Sequence, residues 1–586
     1  LTDQVDIREL WEVLNTEQEW IDLATMTEFC FPDDPTDDKS AAVVRAFFKD
    51  RLYFKFSHDR FFPNSEERVE QIHFQAKEAV RKHRMIENGA KWLKAGLTDI
   101  SVENTDDNSR LVEIIKSYYL FDKESKDQVV AKAMLSRAGI KEKEDIFRIL
   151  VKQGIWDVNE NIDLYRYDIP IAFPDDVSQR VQALVNSVSS TSVESGRRDM
   201  TGLSVKTIDG QSTLDFDDAL SIEDKGDHYL LGVHIADVGH FVKKGDPIDR
   251  EAMTRGSSIY MPDQKVPMVP ADLAENLCSL KAGEVRPVIS TMIKLNLSAE
   301  VIDYDIFPSL IQVQQQLSYY DVNQVAEEDR NVAILYDIAQ KFRRQRLTQG
   351  AVHISLPEVN VWIDSERKLA VSRTNRESPG RMLVAEIMIM ANWLMARFLA
   401  KHDTAAIFRT QAEPRERLFK NGEGTLFQNW MQRKRLNRFV LNEKAESHAG
   451  LGLDAYVTAT SPIRKYFDLA TQRQIRSIFD LETPYTAGEV RQIIQLLEQS
   501  TGSVSRVQFR RNRYWLLKYL EEKIGQKENA IVLNRMRNNY QVLLTEYMIE
   551  CSLPSSAGIN LKPEDLVQVT IQHVNARNDV LSVFLG

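Results

Sequence analysis

Residues 207–220, TIDGQSTLDFDDAL, place four aspartates, Asp209, Asp215, Asp217 and Asp218, in one short loop. Four carboxylates that close repel one another. In a folded site of reduced dielectric they all stay ionised only if cations sit among them, and an all-oxygen donor set selects a hard ion such as Mg²⁺ or Mn²⁺. An EF-hand loop fits poorly: it wants oxygen ligands at positions one, three and five, glycine at six and glutamate at twelve, whereas counted from Asp209 glycine falls second and a threonine fifth. The plainer alternative is a solvated acidic turn. Against it, Val205, Ile208, Leu214, Phe216, Ala219, Leu220 and Ile222 bound the cluster and pull it inwards, and an apolar strand at 229–233 follows with HIAD behind it.

A chain of 586 residues has room for three or four domains. Its 43% hydrophobic and 27% charged residues are those of a globular protein, and no apolar run approaches bilayer length, so no membrane is expected. The net charge of −11 means that any nucleic-acid binding must come from local basic surface. Cys30, Cys278 and Cys551 are too scattered for a CxxC zinc cluster or a disulfide framework and read as free thiols. No signal-peptide pattern opens the chain, which starts at Leu1. The expectation is cytoplasm, or an organelle after removal of a targeting segment.

Apolar spacing predicts three helices over residues 5–51, with Thr36 or Asp38 capping the third. LYFKFSHDRFFPNS then reads as two aromatic strands around a turn at His58-Asp59, so that 1–70 looks winged-helix-like. A module of that kind binds nucleic acid or protein. A long charged helix, roughly 66–95, and helices near 109–121, 127–138 and 142–153 lead into GIWDVNENIDLYRYDIP; the region 71–186 is read as helical, with room for a second winged-helix-like unit ending in a hairpin. The Ser-rich 187–197 reads as a linker.

Two further segments fit an enzyme of single-stranded nucleic acid. GSSIYMPDQKVPMVP holds Tyr260 before a Pro-punctuated loop, where an aromatic ring could stack on a base or simply fill the core. YVTATSPIRKYFDLA presents Arg464 just after a Ser-Pro helix start, suited to a phosphate or to an ordinary ion pair. Taken in order, TIDGQSTLDFDDAL, VHIADVGHFV, IYMPDQKVPMVPADLAENLCSLKAGEVRP and ATSPIRKYFDL resemble the catalytic domain of the ribonuclease II/ribonuclease R (RNB-domain) family of 3′-to-5′ exoribonucleases. The resemblance covers about 198–525 and continues through GAVHISLPEV, RMLVAEIMIMAN and HAGLGLDAYV.

The resemblance implies an α/β catalytic domain and processive hydrolysis of single-stranded RNA to nucleoside 5′-monophosphates, with Mg²⁺ held by the aspartates. Asp209, Asp215, Asp217 and Asp218 match the family's metal-site acids, Arg464 its catalytic arginine, Tyr260 the aromatic near the RNA 3′ end and Tyr319 the tyrosine lining the path. Two-metal logic would follow, with ions about 4 Å apart on the two sides of the scissile phosphate. The chain also departs from the family pattern. Ala385 precedes Glu386 where a second acid is common, Gln411 and Gln472 stand where histidine is common, and Phe509 falls near a position where some members carry glutamate. Well-known bacterial members carry cold-shock barrels in front of the catalytic domain; the helical N-terminal third stands there instead and implies a different entry surface and a protein partner.

Basic stretches at 341–346 (KFRRQR), 431–439 (MQRKRLNRF) and 506–518 (RVQFRRNRYWLLK) could guide RNA to an acidic site or be solvated helix faces. In the last of them Arg510, Arg511 and Tyr514 are the candidate RNA contacts. Five short strands from 526 to 586 predict a small OB-type barrel, where the family carries an S1 domain. The expected fold is thus multidomain α+β: a helical winged-helix-like N-terminal region, an RNB-type α/β domain at 198–525 and an S1-like barrel at 526–586. The rivals are a catalytically inactive RNA-binding scaffold of the same fold and a winged-helix DNA-binding regulator with an incidental nuclease-like core.

Overall fold

The computed structural model describes residues 1–17, 19–98, 106–187, 196–325, 328–419, 424–555 and 559–586. They form two compact units, Leu1–Arg166 and Tyr167–Gly586.

In the first unit, α1 (Ile7–Leu14) starts where the Asp6 carboxylate accepts the Arg8 and Glu9 N–H groups, and its Ile7, Trp11 and Leu14 share one buried face. It is followed by β1 (Ile21–Asp22), α2 (Leu23–Cys30), α3 (Asp37–Lys49), β2 (Phe54–Ser57) and β3 (Arg60–Pro63). The three strands form one small sheet in the order β1-β3-β2 against the helices, with Phe47, Phe54 and Phe61 at the centre. This is the expected winged-helix-like arrangement, and the turn residue His58 takes a positive φ of 59°. Then come α4 (Glu66–Leu97), α5 (Asp106–Phe121), α6 (Gln128–Ala138), α7 (Lys143–Lys152) and the short α8 (Ile162–Arg166), packed around Leu93, Ile115, Met134 and Ile149. The hairpin expected after α7 does not form. Among the described residues no strand lies between Pro63 and Arg198; turns and α8 stand there, with Trp156 buried against Tyr119.

The unit also ends earlier than expected, at Arg166 rather than at 186. The helix α9 (Asp175–Ser187) belongs to the second unit, because its buried Val177 and Val181 join the core that includes Ile248 and Ala252. Most of the expected linker, 188–195, lies outside the described residues.

The second unit continues with β4 (Arg198–Asp199), β5 (Val205–Asp209), β6 (Asp218–Asp224), β7 (His228–Ala236), α10 (Val238–Phe241), α11 (Pro247–Arg255), β8 (Ile259–Tyr260), β9 (Lys265–Val266), β10 (Val285–Asn296) and β11 (Val301–Ser318). The sheet order is β10-β7-β6-β5-β11-β4, and β10 also pairs with β11, so the sheet curls back on itself. Next are α12 (Tyr319–Val325), α13 (Arg330–Thr348), the hairpin β12 (Glu358–Ile363) and β13 (Leu369–Thr374), α14 (Pro379–Lys401), β14 (Phe408–Thr410), α15 (Leu426–Arg435), β15 (Val440–Asn442), α16 (Tyr466–Ser477) and α17 (Ala487–Glu521). One core joins Ile208, Leu220, Leu231, Val233 and Ile235 of the sheet to α13 and α14. A second joins Val205, Ala219 and Ala236 to α11, α16 and α17. Covered in this way, β7 reads as a near-continuous apolar run.

α14 passes the length and apolarity test for a bilayer span, contrary to the expectation that no run comes close, but most of its apolar window is buried in this core. It also carries Glu386, whose carboxylate accepts from Arg346 at 2.7 Å and from Arg343 at 2.9 Å. The chain ends in β16 (Lys527–Arg535), β17 (Asn539–Leu544), β18 (Ile549–Pro554), β19 (Leu566–Asn575) and β20 (Val580–Leu585), a closed five-stranded barrel as expected.

Candidate active site

The aspartate loop joins the antiparallel neighbours β5 and β6, with Asp209 as the last residue of one and Asp218 as the first of the other. Ser279 pins its middle, accepting from the Phe216 N–H at 3.1 Å and donating to the Leu214 carbonyl at 2.8 Å. The parallel pairing of β5 with β11 sets Ser318 opposite Asp209 and so brings Tyr319 to the same end of the sheet. Tyr260, on the two-stranded β8–β9 ribbon, donates its hydroxyl to Asp215 at 2.6 Å, and Lys265 from the same ribbon lies 3.4 Å from that carboxylate. Arg464 arrives from the loop before α16 and donates Nε to Asp217 at 2.9 Å, while the Ile463 N–H donates to the other oxygen of Asp217 at 2.8 Å. Asp468, in the first turn of α16, accepts the Ser461 N–H at 2.9 Å and fixes the other end of that loop.

The structure therefore brings Asp209, Asp215, Asp217, Asp218, Tyr260, Tyr319 and Arg464 to one place, and it gives the acids different environments. Asp209 accepts from the Gly210 N–H at 2.7 Å and from the Thr213 hydroxyl at 3.0 Å. Burial pushes the Asp217 carboxyl up to about 6, although Arg464 pulls it the other way. Burial, followed by the charges of Asp209 and Asp217, pushes Asp218 up to about 8. Burial and then the charges of Asp209 and Asp218 also raise the Tyr319 phenol, and its ring lies 4.8 Å from the Arg381 guanidinium.

Among the described residues no three His, Cys, Asp or Glu side chains already converge as a finished metal cluster. The acids nevertheless fit a hard cation: the donors are all oxygen, and Asp218 is held against its ionised form by burial and by two neighbouring carboxylates. Positive charge between Asp218 and Asp209 would relieve that repulsion.

The distal candidates divide. Arg511 and Tyr514 are not at the surface, a correction to their expected role. Arg511 grips Asp263, with Nε 3.0 Å from one oxygen, and Tyr514 is buried among barrel residues beside Trp515. Both had the right sequence pattern, but on a long helix half of any aromatic-basic run must face the core. Arg510 is exposed and lies 6.0 Å from the Tyr167 ring. In the stretch 341–346, Arg343 and Arg346 are bound to Glu386 rather than offered to a ligand. The other two basic stretches do meet: Arg433 and Arg513, with Arg376 and the exposed Phe509, line a cavity of about 900 Å³ between α15, α17, the β12–β13 hairpin and the barrel. Of the family departures, Gln472 is buried and donates to the Ala236 carbonyl at 2.8 Å, and Gln411 donates to the Asn437 carbonyl at 2.6 Å. Sequence reasoning missed Lys265, Ser279 and Asp468, which carry no motif of their own and enter the site through the fold.

Comparison with known proteins is consistent with this geometry. The RNB domain model matches residues 197–480 and the Double HTH domain model matches residues 69–162. An uncharacterized ribonuclease of Synechocystis is 28% identical over 593 residues, covering 98% of this chain and 88% of that one. Ribonuclease R of Chlamydia pneumoniae is 26% identical over 464 residues, covering 70% of this chain and 68% of its own. A solved structure of an active-site mutant of the Dss1 exoribonuclease from Candida glabrata shares the fold, with a TM-score of 0.70 at 16% identity, covering 99% of this chain and 84% of that one.

Proposed function

We propose that this chain, a member of the ribonuclease II/ribonuclease R (RNB-domain) family, is a metal-dependent 3′-to-5′ exoribonuclease. It degrades single-stranded RNA processively to nucleoside 5′-monophosphates. The observation that carries this reading is the meeting of Asp209, Asp217 and Asp218 with Arg464 at one end of the sheet, with Tyr260 on Asp215 beside them.

Asp209 and Asp218, with Asp215 and Asp217, would hold Mg²⁺ or Mn²⁺, and when bound such ions supply an activated water and neutralise the leaving 3′-oxygen. The protein's own groups do the rest. Asp217 spends its oxygens on Arg464 and the Ile463 N–H, so it holds the guanidinium in place while the two terminal nitrogens remain for phosphoryl oxygens. A preorganised donor aimed at charge that grows in the transition state is worth about 10²-fold or more in rate. Tyr260, its hydroxyl tied to Asp215, cannot swing away, which suits a platform for the terminal base. The retention of every one of these groups argues against the inactive scaffold.

The test is a time course with 5′-labelled single-stranded RNA, in Mg²⁺ and in chelator, beside DNA of the same sequence. Metal-dependent shortening from the 3′ end to a small fixed product is expected. Tight binding with no shortening in either metal would replace this reading with the scaffold.

A further inference from the structure

The winged-helix-like part of the first unit holds its charge unevenly. Between residues 1 and 44 twelve acids stand against two bases, whereas between 45 and 60 five bases, Arg45, Lys49, Arg51, Lys55 and Arg60, stand against two acids. These bases lie on the end of α3 and on the wing hairpin β2–β3 that follows it. Arg45, Phe48 and Lys49, spaced three and four residues apart, share one exposed face of α3. Lys55 and Arg60 are exposed on the outer face of the hairpin. Among the described residues Arg45, Arg51 and Lys55 form no ion pair. Lys49 meets the exposed Asp3 at 3.4 Å, and Arg60 faces Asp22 across β1 and β3. Of the two acids in this stretch, Asp50 is engaged by the Leu52 N–H at 3.0 Å.

Among these cations stands an aromatic ring that the core leaves out. Phe47 is buried, but its neighbour Phe48 is 51% exposed. Phe48 makes a T-shaped contact with Phe56, centroids 5.3 Å apart, and the Arg51 guanidinium lies 4.7 Å from its ring centre. An exposed ring flanked by unpaired cations is the combination that stacks on a base and holds the neighbouring phosphates of a single strand. The other end of α3 argues against a duplex. A recognition helix reads the major groove with its N-terminal residues, yet α3 starts at Asp37 and Asp38, with Asp33 and Asp34 just before them. Those four carboxylates repel duplex phosphates, and the base faces that Phe48 would need are covered inside a duplex. We propose that the C-terminal end of α3 and the start of the wing form a single-stranded RNA-binding surface. Phe48 is its base platform, and Arg45, Lys49 and Arg51 hold the flanking phosphates. That the strand is RNA rests on the exonuclease reading, but the surface shares no residue with the carboxylate site and its binding is measured without cleavage.

The experiment uses the full chain in chelator. Fluorescence anisotropy follows its binding to labelled oligouridylate and to duplex RNA over a range of salt, beside Phe48→Ala and the double variant Arg45→Gln/Arg51→Gln. Phe48→Ala is expected to weaken oligouridylate binding about fivefold or more, with the salt slope unchanged. The double variant is expected to lower the slope of log K against log salt by about 1.4, the share of two single-strand phosphate contacts. Both should melt with the parent, since the replaced side chains are exposed. A Phe48→Ala protein that melts lower and binds as the parent does would make the ring a cover for Phe56 and overturn the proposal. Equal losses for duplex and single strand also overturn it, because the surface would then read the backbone alone. Unchanged affinity and slope in the double variant overturn it as well, and leave the patch to an acidic protein partner. If RNA is not shortened in Mg²⁺ yet binding depends on Phe48 and the arginines, the surface stands and the exonuclease reading falls. If RNA is shortened and binding ignores them, the surface falls alone.

Discussion

At the scale of single residues, the four aspartates look alike in the sequence and are unlike in the fold. Asp217 is a positioning group for Arg464 as much as a candidate ligand. Asp217→Asn should lower the rate of RNA shortening by about 10²-fold or more, while the dissociation constant for single-stranded RNA changes little; loss of both together would show that the residue supports the fold rather than the reaction. Asp218 carries the opposite burden. Its folded pKa of about 8 lies above the carboxylate value of 3.8, so the folded state binds the proton more tightly, and stability from this group is present at low pH and lost as pH rises from 3.8 through 8. Asp218→Asn should therefore stabilise the protein in chelator by about 1 kcal/mol or more at pH 8 and by progressively less towards pH 4, with cleavage abolished. Melting curves over that range check it, and an advantage that does not grow with pH would refute the assignment.

At the scale of elements, what holds the site is a set of buried polar ties between strands and helices. His234 of β7 bonds Ser221 of β6 at 2.9 Å and Ser290 of β10 at 2.6 Å, and Ser290 bonds Ser309 of β11 at 2.6 Å. Burial pushes this imidazole down to about 4 from 6.5, so the unfolded chain takes up the proton first and stability falls as pH drops from 6.5 towards 4. The contribution is on the order of 3 kcal/mol at the foot of that window. Replacing His234 by Asn should flatten part of the acid limb in a comparison of melting temperatures at pH 4.5 and 7. On the other side of the sheet, Asp249 of α11 accepts from Arg473 at 2.7 Å and from Tyr466 at 2.8 Å, tying α11 to α16. Arg473 is fully buried, and Asp249→Ala would leave it uncompensated at a cost of about 3–5 kcal/mol, measurable by urea unfolding. Because α16 begins directly after Arg464, its anchorage to α11 bears on the active loop as well as on stability.

At the scale of the whole molecule, the chain is two compact units that meet in sequence at Arg166 and Tyr167. The second has its own sheet, two helical layers and a barrel, and contains every residue assigned to the site. Residues 167–586 produced alone should fold cooperatively and shorten a short single-stranded RNA within about tenfold of the full-length rate. A fragment without a cooperative melt would mean that the first unit is part of the folding domain. A folded fragment that has lost only RNA affinity would assign the winged-helix-like and double-HTH portions to substrate capture.

The local chemistry was legible in the sequence because it depends on short range. Four acids in one loop, the hairpin around His58-Asp59, the apolar run of β7 and the five barrel strands each follow from residues within a few positions of one another. Tertiary structure alone decided which side of a helix a residue faces and which distant groups meet. It sent Arg511 and Tyr514 of α17 inwards and left Phe509 of the same helix exposed, a distinction that composition cannot make. It also brought Lys265, Ser279 and Asp468 to the aspartate site from a strand, a loop and a helix far apart in the chain. The ends of a chain segment are fixed by local torsions and patterning, but the field and the partners around a buried charge come from whatever the rest of the fold brings near it.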